Sequence, residues 1–150
     1  MTTIINGDKE AVFTVTVDYN QSLHKMIAEG VYDEVSGDIN GRNFPLRGWG
    51  CKAVKLTLIQ FERALTPLEA VTPMSGRGYR SATIEELLAL GKEQPDLQRR
   101  IPIVGLGSGL MKQGRRYAPC LGGSLSTRNL TLVVIYRRWS SCYRFVFASE

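Results

Sequence analysis

Histidine and cysteine are almost missing from this 150-residue chain: His24 is the single histidine, and Cys51, Cys120 and Cys142 are the only thiols. One histidine cannot build a His-rich metal site. Three cysteines with no CxxC spacing argue against both a zinc knuckle and a disulfide framework. Long apolar runs are missing too: no stretch reaches 18 consecutive apolar residues, so no membrane-spanning helix is expected. The start, Met1-Thr2-Thr3-Ile4-Ile5-Asn6-Gly7-Asp8, lacks the basic residues and apolar run of a secretory signal. These absences point to the cytoplasm, with the cysteines as reduced, buried thiols. Acidic residues are scarce in one half only. Residues 76–150 hold 5 Asp/Glu against 12 Lys/Arg, whereas residues 1–75 hold 9 against 7. Ten of those twelve are arginine, whose planar fork of donors suits carboxylates and phosphates. An anionic partner for the second half is the expectation, beside the plainer one of a solvated surface charge.

What is present describes a single compact domain over residues 1–150. A chain of this length buries roughly 68–70% of its unfolded surface, enough for a core without disulfides or metal. Fifteen glycines and six prolines indicate many turns and short elements. Phe13, Val15, Val17 and Tyr19 alternate with polar residues, a period of two that predicts a strand over Ala11–Tyr19. Asn20 is a candidate N-cap for a short helix carrying Leu23, Met26 and Ile27, closed by Gly30. Val31–Gly50 is turn-rich, with Tyr32 and Phe44 as candidate anchors. Lys52–Phe61 reads as a strand whose later part is apolar on both faces. Thr66-Pro67-Leu68-Glu69 looks like a helix start, cut short by Pro73, Gly76 and Gly78. Thr83 and Glu86 form a capping box ahead of Leu87 and Leu88. A helical turn at Pro95–Gln98, a strand at Ile101–Val104 and a short strand at Tyr117–Leu121 follow. Leu130–Tyr136 and Tyr143–Ala148 complete the chain as strands, joined closely enough for an antiparallel hairpin. The fold class expected is α+β: two main helices and five to six mostly antiparallel strands, with a β-rich C-terminal half.

Three patterns bear on chemistry. Gly105-Leu106-Gly107-Ser108-Gly109 follows a strand and precedes Lys112, Arg115 and Arg116, the composition of a phosphate cradle. It lacks the Gly-Lys-Ser/Thr ending of a P-loop and the third glycine of the dinucleotide fingerprint, so a hairpin loop is the expected reading. The pairs Arg99-Arg100, Arg115-Arg116 and Arg137-Arg138 alternate with Tyr79, Tyr117, Tyr136, Trp139 and Tyr143, which suits phosphates and stacked bases. Adjacent strand residues face opposite ways, however, so one member of each pair joins a given face. Nucleophilic catalysis has no local support: His24 stands alone beside an apolar stripe, and the acids of the first half read equally well as loop charges.

The stretches VDYNQSLHKMIAEGVYDEVSGDINGRNF, GYRSATIEELLALGKEQPDLQRRIPIVGLGS and RRWSSCYRFVFA resemble a family of small uncharacterised bacterial proteins. The resemblance covers most of the chain; it implies one intact domain and brings no activity and no site residue. Residues 78–148 are also similar to C-type-lectin-like domains of the formylglycine-generating-enzyme type: a helix introduced by Gly78-Tyr79-Arg80-Ser81-Ala82-Thr83, glycine-rich irregular segments, then a terminal hairpin with Trp139 and RFVFA. That likeness implies ligand binding through variable loops. The lectins' paired disulfide cysteines and their calcium-binding Glu-Pro-Asn or Trp-Asn-Asp triplets are missing, so calcium-dependent sugar binding is not implied.

Together these readings describe a non-enzymatic binding domain without cofactor, metal or membrane contact. It would engage a protein or anionic ligand through loops 105–128 and 137–142. Arg115, Arg116, Arg128, Arg137 and Arg138 would supply charge, and Tyr117 and Trp139 contact area. Single-stranded nucleic-acid binding is the alternative, and an enzyme with an unrecognised site the third.

Overall fold

Strands that are apolar on both faces must sit inside a sheet covered on two sides, and that requirement organises the molecule. The computed structural model describes residues 8–135 and 138–149. These form β1 (Lys9–Asp18), α1 (Leu23–Glu29), β2 (Glu34–Val35), β3 (Cys51–Gln60), α2 (Pro67–Ser75), β4 (Tyr79–Ser81) and α3 (Ile84–Glu93). A single 3-10 turn at Leu97–Arg99 follows, then β5 (Ile103–Val104), β6 (Leu110–Lys112), β7 (Arg115–Gly123), β8 (Arg128–Val134) and β9 (Arg144–Ser149). All nine strands join one sheet in the order β1-β3-β9-β5-β7-β8-β2, with β4 paired to β9 and β6 to β7.

The alternation within β9 shows how the core is divided. Val146 and Ala148 join a cluster with Val15, Val17, Leu56, Leu58 and the buried residues of α1 and α3. Phe145 and Phe147 join a second cluster on the opposite face, with Ile59, Ala70, Met74 and Trp139, covered by α2 and the segment 138–143. Leu56, Thr57, Leu58 and Ile59 are all buried, as the two-sided reading of that strand requires.

Five or six mostly antiparallel strands with two helices is too small a count. The described residues hold nine strands and three helices, and the sheet is mixed, because β2 runs parallel to β8 and β5 parallel to β9. The additional strands β2, β4 and β6 are two or three residues long, too short to show a period. The terminal hairpin is corrected as well. β9 lies between β3 and β5, while β8 lies between β7 and β2. An apolar strand such as Phe145–Ala148 gains most burial at the centre of the sheet, and a hairpin partner at the margin would leave one of its faces wet. The chain therefore crosses the second face after β8, held by the reciprocal bonds between Leu65 and Trp139 at 2.9 and 2.7 Å. Tyr136, expected at the end of β8, lies outside the described residues.

Both capping boxes are present, at Thr66/Glu69 and Thr83/Glu86. Pro73 does not end α2, which continues to Ser75 and buries Ala70 and Met74. Ser22, rather than Asn20, caps α1.

Candidate functional site

The strand registers decide which side chains share an end of the sheet. β1 and β3 are antiparallel, as are β3 and β9, β5 and β7, and β7 and β8, while β5 runs parallel to β9. It follows that the C-termini of β1, β5 and β8 lie at the same end as the N-termini of β3 and β7. This end also carries the β6–β7 hairpin, and we call it the hairpin end. The two-residue turn Gln113-Gly114 closes that hairpin with φ of 53° and 75°, the left-handed pair that matches the twist of its strands.

Opposed residues in a ladder point to the same face. The pairs Lys112↔Arg115 and Leu110↔Tyr117 therefore place Lys112, Arg115 and Tyr117 together, and Arg116 opposite Met111 on the other face. Arg115 and Arg116 are exposed, and Tyr117 is half-buried. An open cleft of about 760 Å³ lies beside them, lined by Ser36, Asp38, Lys112, Gln113, Tyr117 and Thr131 among others. Lys112 Nζ donates to Asp38 Oδ2 at 2.6 Å, a bond that raises the lysine above its ordinary range. Among the described residues neither Arg115 nor Arg116 has an ion pair.

Asp38 opens the loop 36–50, which crosses the α1/α3 face toward β3. Ile39 and Phe44 are buried beneath it, and the Asn40 side chain accepts from the amides of Arg42 and Asn43. The loop leaves Arg42, Leu46, Arg47 and Trp49 exposed. Trp49 is 79% exposed, far out for the largest apolar ring. Its place is fixed by its neighbours. A Cβ on Gly48 would stand 2.8 Å from the Tyr19 ring, and Gly50 has φ +72°. The Tyr19 amide donates to Gly50 O at 2.9 Å. Lys52 Nζ lies 5.2 Å from the Trp49 centroid and 5.9 Å from that of Tyr19. Sequence reasoning passed over Trp49, Lys52, Arg42 and Arg47; the available signal was a tryptophan set between two glycines in a polar, turn-rich segment.

Other expected site residues are placed elsewhere. Arg128 is in the interior, at the opposite end of the sheet and 4% exposed. Its guanidinium donates to the carbonyls of Gly30, Gly91 at 2.7 Å, Pro95 at 2.9 Å and Val31 at 3.4 Å, and to Gln98 Oε1 at 3.1 Å. It stacks 4.8 Å over the Tyr32 ring. Burial pushes the Tyr32 hydroxyl up to about 12, against the opposing pull of the Arg128 charge. Trp139 is buried among Phe145 and Tyr143. Arg138 reaches Glu69 at 3.6 Å and donates to Ala64 O at 3.3 Å, which ties it to the start of α2. Arg137 lies outside the described residues. The expected site residues that come together are thus Arg115 and Tyr117, with Arg116 on the opposite face of the same hairpin.

Two amides of the glycine run are engaged by the protein itself. Gly105 N donates to Pro119 O at 3.2 Å and Gly107 N to Ala82 O at 2.8 Å. Ser108 Oγ accepts from Ile84 N at 2.8 Å, the first amide of α3. A Cβ on Gly107 would meet the Ala82 carbonyl oxygen at 2.6 Å, so glycine serves close packing there rather than phosphate binding. Glu86, with both oxygens on Arg80 at 2.8 and 2.6 Å, closes the same helix start. The loop 105–128 is therefore largely sheet, comprising β6 and β7. Among the cysteines only Cys120 is buried, with its thiol pushed up to about 12 by burial; Cys51 and Cys142 are exposed. His24 is exposed on α1. A second cavity of about 290 Å³ between β1, α1 and α3 is lined by Asp18, Glu29, Glu85 and Lys92, a mainly acidic set of opposite character.

No family model, no curated protein and no solved structure matches the chain. Among the described residues no helix is long and apolar enough to cross a membrane.

Proposed function

We propose that the chain is a non-enzymatic binding domain that engages an anionic partner through its hairpin end. The observation that carries this reading is the register, which gathers Lys112, Arg115 and Tyr117 on one face. Arg42 and Arg47, exposed on the loop 36–50, and Lys52, exposed at the start of β3, add further cations. Arginines that pair with no carboxylate among the described residues, beside a half-buried aromatic ring, are the groups that dominate binding energies at interfaces. Three free thiols fit the cytoplasm as the compartment in which the domain works.

The test is binding of inorganic polyphosphate and of a polyaspartate peptide to the intact protein, with a Lys112→Ser/Arg115→Ser/Arg116→Ser variant alongside. Salt-sensitive binding that the triple substitution removes supports the proposal. Failure of both polyanions to bind at low salt sinks it.

A further inference from the structure

Trp49 is the feature that a merely charged surface does not explain. Two glycines hold the ring outward at the β3 end of the loop, and an ammonium lies between it and Tyr19. Lys112 and Asp38 mark the other end of the same loop. β3 and β7 are three steps apart in the sheet, which sets the strands of Lys52 and Arg115 roughly 14 Å from each other at ~4.8 Å per step. Arg42 and Arg47 stand exposed on the loop between them. The result is a track with cations along its length and an aromatic platform at one end.

We infer that this track binds single-stranded nucleic acid, with an unpaired base stacked on Trp49 and the phosphates following Lys52, Arg47, Arg42 and Arg115. This rests on the anionic-partner reading and names its chemical class. An acidic protein surface would satisfy the cations and leave the ring without a matching group. A nucleotide chain brings π-faces and phosphates at once, and a planar ring stacks on any base without hydrogen-bond readout. The acids nearest the track are engaged by the protein: Asp38 pairs with Lys112 and Glu86 with Arg80, while Glu85 accepts from the amide of Arg47 and Asp18 from that of Asn20. The charges of Asp38 and Glu86 are thus cancelled by their partners, and Glu85 is buried beneath the loop. A duplex, whose bases are stacked on one another, offers no face to Trp49.

The experiment measures anisotropy of a labelled thymidine oligonucleotide of about 12 residues, within the length range that one small domain covers. Duplex DNA of the same length and inorganic polyphosphate serve as rival ligands, and Trp49→Ala is compared with the parent protein. The expected result is tighter binding of the single strand than of the duplex, weakened roughly 5- to 150-fold by Trp49→Ala. Polyphosphate affinity should be unchanged by that substitution. Tryptophan emission supplies a second readout: the chain has two tryptophans, and Trp139 is buried, so quenching by the oligonucleotide reports Trp49. Equal affinity for oligonucleotide and polyphosphate, with neither affected by Trp49→Ala, overturns the nucleic-acid inference and leaves the anionic-partner reading standing. Equal binding of duplex and single strand also overturns it. Absence of binding to any of the three ligands removes both.

Discussion

Arg128 and the pair Arg115-Arg116 start adjacent strands of one hairpin, β8 and β7, yet they do opposite things. β7 begins at the hairpin end, where the sheet runs out into solvent, and its first two arginines are exposed there. β8 begins at the other end, where α1 and α3 both finish. The carbonyls that helices leave unsatisfied at their C-termini converge on that point, with the negative end of each helix dipole. Gly30 and Gly91 supply those carbonyls, and the five guanidinium donors of Arg128 match them. No carboxylate among the described residues touches this guanidinium; carbonyls and the Gln98 amide oxygen carry its charge. The backbone around it is bent to fit. Val31, whose carbonyl also accepts from Arg128, has φ 50°, a conformation β-branched residues rarely adopt. The same residue type thus builds the interior at one end of the molecule and presents free charge at the other.

The sharpest way to break this contrast is Arg128→Ala. It strands three buried acceptors, Gly30 O, Gly91 O and Gln98 Oε1, and should cost about 3–5 kcal/mol in denaturant unfolding. A cost within about 0.5 kcal/mol would show that Arg128 is a surface residue after all. Relieving the bent backbone gives a smaller effect of opposite sign. Val31→Gly should raise stability by about 1 kcal/mol, since glycine takes the left-handed conformation without a Cβ clash. The smallest effect belongs to the hairpin end, where Arg115→Ser/Arg116→Ser should leave unfolding within about 0.5 kcal/mol of the parent while weakening polyanion binding. A large stability loss in that variant would mean that both arginines, like Arg128, hold the fold.

Much of the fold was legible because the signals are local. Thr83 and Glu86 cap α3 across three residues, and Phe13, Val15 and Val17 show their strand by simple alternation. The candidate site was legible only in part. Arg115, Arg116 and Tyr117 were found because they cluster in sequence. Trp49, Lys52, Arg42 and Arg47 lie in the half of the chain whose charges sum to −2, and the one local signal, a tryptophan between two glycines, says nothing of the cations around it. Trp139 was read as a contact residue because it follows two arginines, but its indole fills the space under α2.

By itself the sequence determined the longer elements and their faces. Strand alternation, helix caps and turn glycines depend on residues a few positions apart, and their physics is complete within that span. Tertiary structure alone decided the order of the strands, and with it the role of each arginine. The groups that hold Arg128 come from residues 30 to 98 positions away, and only the folded sheet brings them together. Whether an arginine is buried against carbonyls or left in water depends on which end of which strand carries it. That is set by the burial of β9 on both faces, which no local pattern near Arg115 or Arg128 records.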